Sequence, residues 1–182
     1  LNLKSLQAES NLLKAKLLLE KTNQIKERNY RICLGNLAEV CQDKGDFEEA
    51  ETLYLEVKKI KEAQFGKESA SYGATVHDLG NVYWLSGRLE EALNAYKSAL
   101  DIFLNKLGRD HPYTANAYGN IGRVLIAFGD YGKCEEMLLE AVAIRKKIYG
   151  ASSRYYTFSI TELATFYLET GRTTEGISLL EE

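Results

Sequence analysis

The apolar residues of this chain recur at helical spacing, in stretches separated by glycine. One stretch places apolar side chains at i, i+3, i+4 and i+7, which is one face of a helix, and the next stretch repeats the pattern. We therefore predict a pair of helices joined by a short turn. The two stripes are Leu34, Leu37, Ala38 and Cys41 in the first helix and Ala50, Leu53, Tyr54, Val57 and Ile60 in the second.

Local signals predict where these helices begin and end. Gly45 follows the first stripe, and glycine is the residue that most readily turns the chain out of a helix. Asp46 with Glu49 resembles a capping box that opens the second helix. Further along, His111 and Pro112 precede another first helix, where proline is tolerated and the histidine is expected to help cap the helix.

The whole pattern recurs at a fixed interval along the chain. Gly45 is followed, at equal steps, by Gly87, Gly129 and Gly171. Other columns keep physical type rather than identity, as a packed repeat requires, because a small residue lets two helices approach and a large one fills the gap beside it. The large column is Leu37, Leu79, Ile121 and Leu163, and the small column is Ala38, Gly80, Gly122 and Ala164.

The repeat divides the chain into five segments. We predict the second helix of a preceding repeat at 1–24, full repeats at 29–66, 71–108 and 113–150, and a truncated repeat at 155–182. The first segment is assigned because Ala8, Leu12, Ala15 and Leu18 match second-helix positions one period later. The absence of an initiator methionine and of a finished polar cap at either end leads us to expect a piece of a longer array.

The repeat resembles the tetratricopeptide repeat, which has a small residue in its first helix, a glycine turn, and alanine, an aromatic and alanine in its second. The 42-residue length, the linker 107–112 and the motifs at 34–38 and 119–122 are similar to the kinesin light chain subclass. The resemblance implies an all-α, right-handed superhelical solenoid of antiparallel helix hairpins. In that family the first helices line the concave face, and a cargo or complex adaptor is a reasonable expectation.

Candidate contacts with a partner follow from that expectation. They lie on the side of each first helix that faces away from its second helix. The candidates are Asn36, Glu39, Asp78, Asn81, Trp84, Asn116, Asn120, Arg123 and Glu162.

Their chemistry suits an extended peptide. A side-chain amide offers two donors and an acceptor, so it can pair with a peptide backbone of any sequence. Arg123 offers a planar cation for a carboxylate, and Trp84 a large apolar contact. The alternative is a solvated groove with helix-to-helix hydrogen bonds, in which Trp84 packs between neighbouring helices. Asp78 and Glu162 depart from the asparagine of the family motif, which argues against a copied peptide-binding mode.

Composition excludes several classes of function. The 182 residues carry a formal net charge of −3 and have no basic surface pattern for nucleic acid. No apolar run reaches the ~18 residues of a membrane span. Three cysteines form no disulfide framework, so a reducing compartment, the cytoplasm, is expected. Cys33, Cys41 and Cys134 are interpreted as core residues, and we expect Lys58-Lys59 and Arg145-Lys146-Lys147 to lie on outward, solvated helix faces.

We therefore predict a non-catalytic protein–protein interaction scaffold or adaptor that binds a peptide or helix of another protein in its concave groove. The alternative is a structural spacer that forms homo-oligomers through its ends. No convergent acids, bases or nucleophiles indicate an enzyme, and two distant histidines without paired cysteines give no metal site. We expect no cofactor. The missing lysines in the column Ile32, Ala74, Asn116 and Phe158 argue against an acidic chaperone C-terminus as ligand.

Overall fold

The described part of the chain is helical throughout. The computed structural model describes residues 3–25 and 27–181, and within these it contains helices and no strands. The predicted all-α class is therefore confirmed. The nine helices of the described residues are α1 (Leu3–Lys21), α2 (Arg28–Lys44), α3 (Phe47–Phe65), α4 (Ala70–Leu85), α5 (Leu89–Lys106), α6 (Pro112–Phe128), α7 (Tyr131–Tyr149), α8 (Arg154–Glu169) and α9 (Thr173–Glu181).

The helices begin and end where the turn residues predict. Gly45 has φ 81°, a left-handed conformation that costs glycine little, and its N–H donates to the carbonyl oxygen of Gln42 at 3.0 Å. Asp46 caps α3, because its carboxylate accepts from the N–H of Glu49 at 3.4 Å. His111 Nδ1 accepts from the N–H of Tyr113 at 3.1 Å, which confirms its predicted capping of α6.

The chain forms two compact units, Leu1–Ala92 and Leu93–Glu182. We call them unit 1 and unit 2. In each, first helices alternate with second helices and bury the repeated apolar columns between them. The core of unit 1 includes Leu34, Leu37, Ala38, Ala50, Leu53, Val57 and Leu79, and that of unit 2 includes Ile121, Val124, Leu138, Ala141, Ile144 and Leu163.

The small column lets the two helices of a repeat approach closely. At Gly122, an added Cβ would stand 2.9 Å from the Cδ2 atom of Leu138 on α7. Real Cβ atoms do not approach so closely, so Leu138 would have to move. The close packing of α6 on α7 therefore depends on a residue without a side chain.

Helix α1 matches the predicted pattern only in part. Leu12 packs against the core of unit 1, whereas Leu18 is 62% exposed although its repeat counterparts Ile102 and Ile144 are buried. The side chain of Ala8 lies outside the described part of the structure.

The three cysteines are free and buried, as predicted. Burial raises the pKa of each thiol, and that of Cys134 reaches about 12. A thiol that stays protonated is a poor nucleophile, so these residues act as small apolar fillers of the core.

Candidate partner-binding surfaces

The exposed sides of the first helices are the candidate surfaces in each unit. We call these the first-helix faces: that of unit 1 lies on α2 and α4, and that of unit 2 on α6 and α8. Of the predicted contacts, Asn36, Glu39, Asn116 and Arg123 are exposed, and Asp78, Asn81, Trp84, Asn120 and Glu162 are half-buried. Asn81, Trp84, Asn120 and Arg123 each already take part in an intramolecular interaction.

A buried arginine organises the face of unit 2. Arg145 enters from the second helix α7 and is only 7% exposed. Its guanidinium donates to the Ser159 hydroxyl and to the Asn116 amide oxygen, the latter at 2.9 Å, and lies 3.8 Å from a carboxylate oxygen of Glu162. It also lies 5.4 Å from the centre of the Phe158 ring. One cation thus joins α6, α7 and α8.

This position corrects the expectation that the basic run of α7 is solvated. Arg145 follows Leu138 and Ala141 at i+7 and i+4, so it shares their inward stripe. Three consecutive residues span more than half a helical turn and cannot all point outward. Lys146 and Lys147 are exposed, and the ammonium of Lys147 pairs with an aspartate of the preceding linker.

Burial and the neighbouring charges both shift the pKa values of the ionisable groups in this network. Burial raises the pKa of the Glu162 carboxyl, while Arg145 and Arg123 nearby act in the opposite direction. Burial likewise lowers the pKa of the Arg145 guanidinium, which Glu162 partly offsets. Each charge is therefore costly to bury alone, and the two partly offset that cost for each other.

Unit 1 has a simpler version of this junction, by which we mean the contact of a second-helix cation with the following first helix. Lys61 on α3 stands two repeat lengths before Arg145, and its ammonium donates to the Thr75 hydroxyl on α4 at 2.7 Å. Burial lowers the pKa of Lys61, and the charge of Asp78 raises it. Among the described ion pairs, none joins Lys61 to Asp78, so this junction has one short bond and a longer-range attraction.

The charges in these two columns occur together. Where the second helix supplies Lys61 or Arg145, the following first helix supplies Asp78 or Glu162. The intervening repeat has a buried phenylalanine in the cation column and the neutral Asn120 in the acid column. Each of the two acidic residues that depart from the family motif thus accompanies a cation inside its own unit. In the sequence, the pairing of a second-helix cation with a first-helix acid recurs at two repeat lengths and not at one.

A second cluster recurs at the same interval. In unit 2, Arg172 donates to Glu135 and to Glu175, each at 2.7 Å, and lies 4.1 Å from the centre of the Tyr167 ring. The Tyr167 hydroxyl donates to Glu135 at 2.9 Å. The counterparts in unit 1 make the same contacts and are Glu51, Tyr83, Arg88 and Glu91. These surface contacts therefore recur at an interval of two repeats rather than one.

The described residues form neither a metal site nor a membrane span. Within residues 3–25 and 27–181, no three side chains of histidine, cysteine, aspartate or glutamate converge in an arrangement that could hold a metal ion. No helix of the described chain combines the length and the apolar character that crossing a membrane requires.

Comparison with known families agrees with this architecture. The tetratricopeptide repeat profile matches residues 30–105 and 74–147. The chain belongs to the tetratricopeptide repeat family. Proteins of this family are generally protein-interaction scaffolds, and the fold is typically non-catalytic.

Among its relatives is the protein Kinesin light chain-related 1 of Arabidopsis thaliana, 25% identical over 147 residues, which covers 80% of this chain and 24% of the relative. The mitochondrial tetratricopeptide repeat protein 19 homolog of Drosophila melanogaster is 26% identical over 124 residues, covering 65% of this chain and 34% of that protein. This tetratricopeptide chain thus spans only about a quarter to a third of the length of these relatives.

Solved structures support the same repeat type. The crystal structure of the nearly identical TPR-like repeats of a kinesin light chain from Podosopora anserina has a TM-score of 0.78 and 25% identity, covering 97% of this chain and 84% of that one. BtubC of P. vanneervenii has a TM-score of 0.80 at 19% identity, covering 96% of this chain and 72% of that one. The kinesin light chain-like character of the repeats is thereby confirmed.

Proposed function

We propose that this chain is a non-catalytic scaffold that binds a segment of another protein on its first-helix faces. The observation that carries the proposal is the exposure of polar side chains along one side of the first helices. Asn36 and Glu39 on α2, and Asn116 and Arg123 on α6, are exposed while the large and small columns beside them are buried. The helices fix the backbone of these residues, so only their side chains have to be ordered when a partner binds.

The internal network of unit 2 supports this proposal in a specific way. Arg145 donates to the Asn116 amide oxygen at 2.9 Å, and that contact does not use the amide N–H groups of this exposed residue. A preset amide can donate to the carbonyl oxygen of an extended peptide without a large entropic cost. The free, buried cysteines are compatible with a reducing compartment, and we propose that binding takes place in the cytoplasm.

A capture experiment from cell extract tests the proposal. The immobilised chain is compared with the variant Asn81→Ala/Asn120→Ala/Arg123→Ala, after circular dichroism has shown equal helicity. We expect partners that bind the native chain to be lost with this variant. The matched control is Asn94→Ala/Asn105→Ala/Lys97→Ala, which likewise removes two amides and one cation, at exposed positions of the second helix α5. Partners that respond equally to both variants, or to neither, contradict binding on the first-helix faces.

One observation favours self-association as a second candidate. Leu17 and Leu18 of α1 are 55% and 62% exposed, and Leu13 on the preceding turn is also exposed. Sedimentation velocity over a range of concentrations tests it. A mass that rises with concentration, and falls with Leu17→Glu/Leu18→Glu but not with the control Leu55→Glu/Leu139→Glu, favours the structural spacer. A constant monomer mass contradicts it.

A further inference from the structure

Unit 1 contains an open cavity of about 440 Å³ beside its second helix α3. Most of the described residues that line it lie on α3, and the others are Ile25 of the α1–α2 linker and Tyr30 of α2. Ile25, Ile60 and Ala63 contribute apolar side chains, and Glu56 contributes a half-buried carboxylate. The cavity is therefore formed mainly by a second helix and not by the first-helix face of unit 1.

Two carboxylates meet at the hydroxyl of Tyr30, which lines this cavity. The Tyr30 oxygen lies 2.8 Å from a carboxylate oxygen of Glu56 and 3.0 Å from one of Glu20 on α1. A phenol has one proton, so it can donate to only one of the two at a time. Glu20 has the ammonium of Lys16 at 3.8 Å, whereas Glu56 takes part in none of the described ion pairs. Glu56 therefore lines the cavity without a cation of its own.

In unit 2 the chain itself supplies a cation at the corresponding place. Two repeat lengths after Ile25 and Glu56 stand Arg109 and Glu140. The Arg109 guanidinium lies 2.6 Å from a buried carboxylate oxygen of Glu140, and because no well-aligned hydrogen bond joins them, the contact is an ion pair. Unit 1 keeps the glutamate, has isoleucine in place of the arginine, and has a cavity beside the glutamate.

The cations of unit 1 near this cavity do not take the place of that arginine. Lys59 lines the cavity three positions after Glu56, but its side chain is exposed and none of the described ion pairs joins the two. The guanidinium of Arg31 donates to the Gln64 side chain and lies 5.0 Å from the centre of the Phe65 ring. The position beside Glu56 thus remains open to a cation from another molecule.

We propose that the cavity of unit 1 binds an arginine side chain of a partner protein, with the guanidinium on Glu56. A guanidinium carries five donors in a planar fork, so it can serve carboxylate oxygens that the Tyr30 phenol leaves without a donor. The methylene groups of an arginine are apolar and match the side chains of Ile25 and Ile60. This site goes beyond the proposed function, since it does not use the first-helix faces.

Two-dimensional NMR of the isotope-labelled chain tests the proposal. The probes are a blocked glycine–serine peptide with one central arginine and the same peptide with citrulline, which keeps the shape and lacks the charge. We expect the arginine peptide to shift the amide resonances of Ile25, Glu56 and Ala63 in a saturable way, and the citrulline peptide to leave them in place. Equal shifts with both peptides, or shifts that avoid these residues, overturn the inference.

The glutamate is tested with a matched control on the same helix. Glu56→Gln keeps an acceptor for Tyr30 and removes the charge, and is expected to weaken binding of the arginine peptide by about tenfold. Glu48→Gln makes the same change in charge at an exposed position of α3 and is expected to change the affinity by less than about twofold. Circular dichroism checks that both variants keep their helicity, and equal losses contradict a site at Glu56.

Ile25→Arg places the unit 2 residue at the unit 1 position. We expect its guanidinium to pair with Glu56, as Arg109 does with Glu140, and to weaken binding of the arginine peptide by about tenfold or more. The control Ile25→Gln is polar but uncharged and is expected to weaken binding by about threefold or less. Binding that survives Ile25→Arg overturns the inference.

A last comparison separates this site from the proposed function. The variant Asn81→Ala/Asn120→Ala/Arg123→Ala changes only first helices, so we expect it to bind the arginine peptide as the native chain does. Loss of captured partners with this variant and loss of the arginine peptide with Glu56→Gln therefore report on two different surfaces. A first-helix variant that also loses the arginine peptide contradicts the placement of the site.

Discussion

The two units place different cations at the same repeat position, where a second helix contacts the following first helix. In unit 1 the ammonium of Lys61 reaches a single hydroxyl on the following first helix. In unit 2 the guanidinium of Arg145 reaches Ser159, Asn116 and Glu162 from the same repeat position. A planar fork of donors can serve several acceptors at once, whereas an ammonium acts as a point charge. The difference shows that the same helical frame can carry either a tight polar network or a loose one.

Removing the two cations gives the largest expected contrast between the units. Arg145→Met leaves the half-buried Glu162 without its ion pair and two more groups without a donor, so we expect a loss of about 3 kcal/mol in the free energy of unfolding. Lys61→Met removes one hydrogen bond and is expected to cost about 1 kcal/mol. Urea unfolding followed by circular dichroism measures both. Lys97→Met, at an exposed position, is the control, and equal losses at 61 and 145 contradict the comparison.

Replacing all the residues of the charged junction in unit 2 by those of the intervening repeat tests whether the network itself is required. The intervening repeat uses Phe103 with Ala117 and Asn120 at these positions. We therefore expect Arg145→Phe alone to cost about 2 kcal/mol, because it strands Glu162. The triple variant Arg145→Phe/Ser159→Ala/Glu162→Asn is expected to lie within about 1 kcal/mol of the native chain, since apolar packing often replaces a buried ion pair without loss. A triple variant as unstable as the single one would show that the network itself is required.

The pH dependence of stability gives a smaller effect with a definite sign. Burial raises the pKa of Glu162 in the folded state above its unfolded value of about 4.3. The contribution of this group to stability is therefore fully present below that value and is lost as the pH rises through the folded pKa. We expect the stability of the native chain relative to Glu162→Gln to increase, by less than about 1 kcal/mol, between about pH 7 and pH 4.5.

Glu135 provides the control for that sign. The hydrogen bond from Arg172 holds the pKa of Glu135 below its ordinary value. Its contribution is present above the unfolded pKa and is lost as the pH falls through the folded pKa. The native chain should therefore lose its advantage over Glu135→Gln on acidification. Urea titrations across the pH range should show opposite slopes for the two variants, and slopes of the same sign contradict the assignment.

The smallest expected difference is between the two surface clusters. Arg88 and Arg172 make the same contacts in the two units, and both are solvent-accessible ion pairs. We expect Arg88→Ala and Arg172→Ala to lower the urea midpoint slightly and by similar amounts, because exposed ion pairs contribute little. Double-mutant cycles with Glu51→Ala and Glu135→Ala should give similar coupling energies. A clear difference would show that the two-repeat pattern is not an energetic repeat.

Much of the fold is readable from the chain alone, because helical repeats are local. The glycine column, the small column opposite Leu138 and the caps at Asp46 and His111 each depend on short-range patterns. Their physical type is therefore enough to predict helices, turns and family. The same pattern implies a buried Leu18, whereas Leu18 is exposed. Burial depends on the helices packed around a position, and the pattern of one helix does not contain that information.

The sequence by itself determined the helices, the 42-residue repeat, the family and the buried state of the cysteines, since these follow from periodicity and short-range geometry. Only the tertiary structure decided that Arg145 turns inward to contact Asn116 and Glu162, and that Lys61 reaches Thr75 on the following first helix. The physical reason is that the surroundings of a charge depend on the exact phase of each helix against its neighbours. A difference of one residue in that phase separates a solvated lysine from a buried arginine.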